Sequence, residues 1–141
     1  METILGNLRA RRRILTTVLT DAPGLTIARN NDPDGDCGSH LALRFASDSE
    51  AVAFIERHGN AVGLVRPLDS GRHVYRNWES VMERRARDPR CDPWKMAKRE
   101  IVYNRQQCPK SLDYLGRTVL IQVPYERSLA EVEAIAGQLR G

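Results

Sequence analysis

Nine residues from Ser70 to Trp78, S-G-R-H-V-Y-R-N-W, hold two guanidinium groups, an imidazole, a phenol, a carboxamide and an indole. Arg72 and His73 can bind anionic or hydroxyl groups, because a guanidinium fork matches phosphate and carboxylate. Tyr75, Asn77 and Trp78 offer a polar handle, a cap and a stacking face. The plainer reading of the same residues makes Val74 and Trp78 core, Asn77 a helix cap and Arg72 a solvated charge. Elsewhere the catalytic templates fail. The sequence has no G-x-S-x-G elbow and no G-x-x-x-x-G-K phosphate loop, and Gly59 and Gly63 do not make G-x-G-x-x-G. Asp32, Asp34 and Asp36 alternate like the start of a calcium loop, but Leu43 stands at the twelfth position, where that loop needs a glutamate. Cys37, Cys91 and Cys108 form no C-x-x-C pair, and His40, His58 and His73 are scattered. No metal site is expected from such spacing, and the cysteines read as reduced thiols.

A chain of 141 residues with 41% hydrophobic and 28% charged residues suits one ordinary α+β domain, here 1–141. No apolar run approaches the ~18 residues that span a bilayer, and the N-terminus lacks the apolar core of a signal peptide. A cytoplasmic location is the expectation. The formal net charge is +4, with basic residues concentrated in Arg9–Arg13 and Arg84–Arg99. That balance permits nucleic-acid binding. Only 6% of residues are aromatic, however, and they do not interleave with basic residues as a base-stacking sheet requires. Arg9, Arg12 and Arg13 fit the solvated face of a helix instead.

These groups need a frame. Ile4, Leu5, Leu8, Ile14, Leu15, Val18 and Leu19 make a helical stripe over about residues 2–20, closed by Pro23-Gly24. The stripe needs a partner surface, as of a helix entering from something upstream. Leu25–Arg29 and His40–Ala46 read as strands around the turn-rich Asn30–Ser39 loop. Ser47-Asp48-Ser49-Glu50 is a capping box for a helix with Ala51, Phe54 and Ile55 inward. His58-Gly59 closes that helix, with His58 near its C-terminal dipole. Ala61–Val65 is a third strand, stopped by Pro67, and would complete a crossover if it pairs in parallel with the strand before the helix. Residues 67–110 read as an irregular insertion. In it Asn77 caps a helix over Trp78–Arg85 with Val81 and Met82 packed, and Asp88-Pro89 and Asp92-Pro93 break the chain. A stretch this long without regular elements is usually functional or clamped to a neighbour. Ser111–Leu115 is a short helix and Thr118–Val123 a clear strand. A second capping box at Ser128 opens a helix with Val132, Ile135, Ala136 and Leu139 on one face. The sum is an α+β sandwich, a small mixed or antiparallel sheet of about four strands with helices chiefly on one face.

The order of motifs carries a resemblance. After the Arg- and Leu-rich Leu8–Leu19 come P-G-L-T (Pro23–Thr26), G-D-C-G-S (Gly35–Ser39), an apolar strand and S-D-S-E-A-V-A-F-I-E-R (Ser47–Arg57). Then follow H-V-Y-R-N-W (His73–Trp78), C-P-K-S-L-D-Y-L (Cys108–Leu115), a strand and E-V-E-A-I-A-G-Q-L-R (Glu131–Arg140). From end to end the chain is similar to the C-terminal small domain of sugar aminotransferases of the DegT-like group. These use pyridoxal phosphate (PLP) and have the aspartate-aminotransferase fold, type I.

What the resemblance implies is a transfer of amino groups between glutamate or glutamine and a keto-sugar or keto-cyclitol. In the complete enzymes a large-domain lysine binds PLP as an aldimine and a large-domain acid supports the pyridine nitrogen. Neither segment is visible here, and Lys95, Lys98 and Lys110 lie outside the family's lysine context. Catalytic, cofactor-binding and metal residues are therefore expected to be absent from this chain, with PLP held by a large-domain partner. By analogy, the loop with Arg72, His73, Tyr75, Asn77 and Trp78 reaches the substrate or the domain interface. A split subunit, a truncated paralogue and a fragment of a longer chain all fit. If split, the Ile4–Leu19 stripe would help dock the partner. A homodimer stays open, since the complete enzymes usually pair, chiefly through the large domain. The alternative is a non-catalytic sugar-binding, regulatory or protein-interaction module derived from that domain.

Overall fold

Apolar alternation decides which strands form and which way they face. The computed structural model describes residues 2–71 and 73–141, and the side chain of Glu2 is not described. In β1 (Leu25–Ile27), β2 (His40–Phe45) and β4 (Thr118–Gln122) one side of each strand is apolar. Leu41, Leu43 and Phe45 of β2 and Val119 and Ile121 of β4 share one buried face. β3 (Leu64–Val65) is a two-residue edge. The sheet order is β1-β2-β4-β3 with every neighbouring pair antiparallel. Leu25 lies opposite Phe45, Leu43 opposite Val119, and Leu64 opposite Ile121.

Three long helices cover that face. α1 (Glu2–Leu19) contributes Leu15 and Leu19, α2 (Asp48–His58) Ala51 and Phe54, and α6 (Leu129–Arg140) Val132, Ala136 and Leu139. α1 runs against α6 as well as the sheet. The apolar stripe of α1 therefore serves the chain's own core. Leu15 and Leu19 are fully buried, Leu8, Ile14 and Val18 pack beside them, and Ile4 alone among the stripe's larger residues is prominently exposed, at 64%. The expectation that Ile4–Leu19 forms a free docking face is corrected accordingly. Both serines cap their helices, and the second makes the full capping box, whereas in the first Glu50 turns its carboxylate to the Ala46 N–H instead of the Ser47 N–H. Glu50 N–H donates to Ser47 Oγ, and Ser128 and Glu131 exchange bonds reciprocally. Each cap satisfies donors that the first helical turn leaves open.

The crossover is corrected too. β2 and β3 run in the same direction but do not pair, because β4, the last strand in sequence, lies between them. β4 is the most continuously apolar strand, so a central place with neighbours on both sides buries most of it. β3 is short and followed closely by Pro67, which suits an edge.

Three of the four arginines of α1 are intramolecular ties, whereas Arg13 is exposed as a solvated face requires. Arg9 donates to the carbonyls of Asp34 and Asp36, Arg12 to that of His40, and Arg11 to that of Arg127. Arg9 and Arg12 hold the loop between β1 and β2 against the helix, and Arg12 also pairs with Asp36 at 3.2 Å. Gly38 makes that approach possible. It adopts φ +78°, and a Cβ there would lie 3.2 Å from the backbone nitrogen of Arg9. Among the described residues no helix is long and apolar enough to cross a membrane.

Candidate functional site

Beyond β3 the chain leaves the sheet and builds the segment with the densest functional side chains. Pro67 opens a single 3-10 turn, Pro67–Asp69, and Leu68 points inward. Val74, also buried, meets Leu68 and Leu112, with Tyr75 and Leu115 packed around them. Leu112 belongs to α5 (Pro109–Gly116), which starts one residue into C-P-K-S because proline suits the first helical position. This small cluster is separate from the main core.

The predicted site residues divide by role. Tyr75 is a peg. Its hydroxyl lies 3.1 Å from the Arg105 carbonyl oxygen and 3.2 Å from that of Asn104, and it accepts the Cys108 N–H at 3.4 Å. Asn77 is a clamp. Its amide donates to the carbonyls of Leu68 and Ser70 at 2.9 and 3.0 Å, fixing the loop that carries His73. It caps no helix, which corrects that expectation: α3 spans only Glu79–Met82 and is preceded by Trp78, with no side-chain cap. His73 is exposed, with Nδ1 2.9 Å from Ser70 Oγ. Trp78 is 44% exposed, so it is not the core residue of the plainer reading, whereas Val74 is. Arg72 lies outside the described residues.

Beyond Trp78 an arm folds out and returns. Asp88-Pro89 and Asp92-Pro93 do not break the chain but start short turns, each proline at the first position and each aspartate accepting N–H bonds. The second opens α4 (Pro93–Met96), where Asp92 accepts from Trp94 and Lys95. Arg105 donates to the Arg76 carbonyl at 2.6 Å, and Trp94 Nε1 to the Tyr103 hydroxyl at 3.3 Å. From Tyr75 to Ser111 no residue is buried, while Trp78, Met96 and Val102 leave large apolar surfaces open.

The base of the loop is fixed by a group the sequence reading did not single out. Arg66 places Nε and Nη2 on the two carboxylate oxygens of Asp69 at 2.6 and 2.7 Å, and Nη1 on Asp48. Its side chain is 12% exposed, and the Asp69 bonds, outweighing burial, hold its proton more tightly than in a free guanidinium. The fork ties the start of α2 to the start of the loop. The only sequence signal was an arginine three residues before an aspartate across Pro67.

The lysines do not fit a PLP site. Lys95, Lys98 and Lys110 are all exposed, and Lys95 lies 3.6 Å from the Asp92 carboxylate. An internal imine needs a lysine enclosed beside a cofactor pocket, and these three do not supply it. Among the described residues no cluster of His, Cys, Asp and Glu can hold a metal ion. What the arrangement can do is present His73 and Trp78 on a braced loop, beside a long arm with apolar surface. No protein-family model and no curated protein matches the sequence.

Proposed function

We propose that this chain is the C-terminal small domain or split subunit of a PLP-dependent aminotransferase acting on a keto-sugar or keto-cyclitol, with the cofactor lysine on a large-domain partner. One observation carries the reading. The two motifs that give the resemblance its specificity, His73–Trp78 and Cys108–Leu115, form one substructure in which Tyr75 bonds to Cys108 and Val74 packs on Leu112. A motif pair 30 residues apart that shares a fold unit behaves as one inherited piece. The arm supports a covering partner, since a segment from 75 to 111 with no buried residue has little core of its own. Large exposed side chains such as Trp78 and Met96 are the kind that interfaces cover. Three free, exposed cysteines suit a reducing, cytoplasmic setting.

Co-expression with a lysine-bearing large-domain chain tests this directly. The expected result is co-purification, an absorbance band of bound PLP and transamination of a keto-sugar, with none of these from the chain alone. Failure to associate with any such chain would overturn the split-subunit reading. The exposure of all three lysines keeps a second reading in view, a non-catalytic sugar-binding or interaction module. Calorimetric titration with nucleotide sugars and cyclitols, without PLP, separates the two.

A further inference from the structure

On the sheet face opposite α1, α2 and α6 lies a cation without a counter-ion. Arg44 of β2 stands opposite Thr26 on one side and Thr118 on the other. Its guanidinium carbon is 4.4 Å from the ring centroid of Tyr114 on α5, an arrangement in which the ring's π face attracts and orients the cation. Among the described residues no carboxylate pairs with it, and its Nε is out of water without an acceptor. Arg117, just before Thr118 of β4, shares the buried Nε but has a counter-ion in Asp113. Its carbonyl accepts the Phe45 N–H at 2.9 Å, its Nη2 is held by Asp113 at 2.7 Å, and its Nε is likewise buried and unmatched. Thr26, Arg44, Glu50 and Arg117 border one concavity of about 500 Å³. Glu50 is the opposing charge there, but its carboxylate faces the helix start, where it accepts the Ala46 N–H at 3.1 Å.

A guanidinium stripped of part of its water and left unpaired is unfavourable unless an anion completes it. The Tyr114 ring gives Arg44 a π partner but no ionic one, and a guanidinium carries a fork of donors that matches two oxygens. We propose that this concavity binds an oxyanion, the carboxylate or phosphate group of a small ligand, with Arg44 as the principal contact and Arg117 as the second. The site belongs to this chain alone and does not depend on the aminotransferase reading.

The test is a titration of the full chain with inorganic phosphate and, separately, with glutarate at constant ionic strength. It follows the backbone amides of Thr26, Phe45 and Arg117 and the Arg44 Nε–H by nitrogen-15 NMR. Saturable shifts confined to these groups are expected with at least one probe, and the tighter probe names the preferred group. Arg44→Gln should weaken binding by about tenfold or more, as loss of a charge-assisted pair does. Arg90→Gln, on the remote arm, should leave it unchanged. Should Arg44→Gln not fold, Arg44→Lys and Tyr114→Leu take its place. The first keeps charge without the fork, the second frees the guanidinium, and each should weaken binding by about threefold. Shifts that do not saturate, or that Arg90→Gln reduces as much as the Arg44 variants do, would overturn the site in favour of general charge screening.

Discussion

His58 shows how environment overrides position in sequence. At the end of α2 the helix dipole favours an imidazolium, an effect worth about 0.3–1 kcal/mol. The ring is nevertheless buried, 4.7 Å from Phe54, which in turn lies 5.0 Å from Phe45. Burial first, then the charge of Arg57, pushes its pKa below the ordinary histidine value. Arg140 and Glu50 border the same hollow. The folded state therefore prefers the neutral ring, and the unfolded chain takes up the proton first as pH falls. The associated stability is intact above the unfolded value of about 6.5 and is lost as pH drops from there through the folded value. Urea unfolding at pH 7.5 and 5.5 should show wild type losing stability on acidification. His58→Gln should flatten that part of the loss, and an unchanged slope would mean that other groups carry it.

At the scale of elements, what was legible followed from periodicity and caps. The two serine N-caps, the alternation in β2 and β4 and the stripe of α1 gave helices and strands at nearly their observed bounds. Pairing order was not legible, because nothing local tells β2 that β4, more than 70 residues later, will separate it from β3. The irregular insertion was recognised as such, but its turns were read as breaks. In Asp-Pro pairs the aspartate caps and the proline presets the first helical φ, so the signal that stops one element starts the next. The helix at 78–85 shrank to α3 because Arg84 adopts φ 53°, where glycine is usual, and Arg84 and Arg85 donate back to Val81 and Ser80. Of the site residues, nothing in the local pattern separates Tyr75 and Asn77, which brace, from His73 and Trp78, which are exposed, since that depends on where residues 68–70 and 104–108 lie in the folded loop. Tyr75→Phe tests the brace. Losing a hydroxyl that serves residues 104, 105 and 108 should remove about 1 kcal/mol of local stability and speed amide exchange from Asn104 to Cys108 severalfold. Unchanged exchange there would leave Tyr75 a packing residue only.

Across the whole molecule, burial is uneven enough to predict how the fold comes apart. The large cluster joins α1, α2, α6 and the sheet through fully buried Leu15, Leu19, Leu43, Val119, Ile121 and Val132. The second cluster has only Leu68, Val74 and Leu112 buried, and the arm beyond it has none. Several of the 19 arginines, Arg11 and Arg105 among them, tie this arrangement through carbonyl contacts at its surface, and such contacts are individually weak. Apolar burial, at about 25 cal/mol per Å², separates the two levels instead. Native-state hydrogen exchange in rising urea should then resolve two tiers. Amides of β2, β4 and α6 should exchange only through global unfolding, with a strong urea dependence. Those of residues 79–107 should exchange through small openings that urea hardly affects. Adding a large-domain partner that covers Trp78, Met96 and Val102 should move the arm towards the slow tier, because a ligand that binds the closed form stabilises it by mass action. An arm that already exchanges with the core in the isolated chain would mean that its surface contacts bind it far more tightly than its exposure allows.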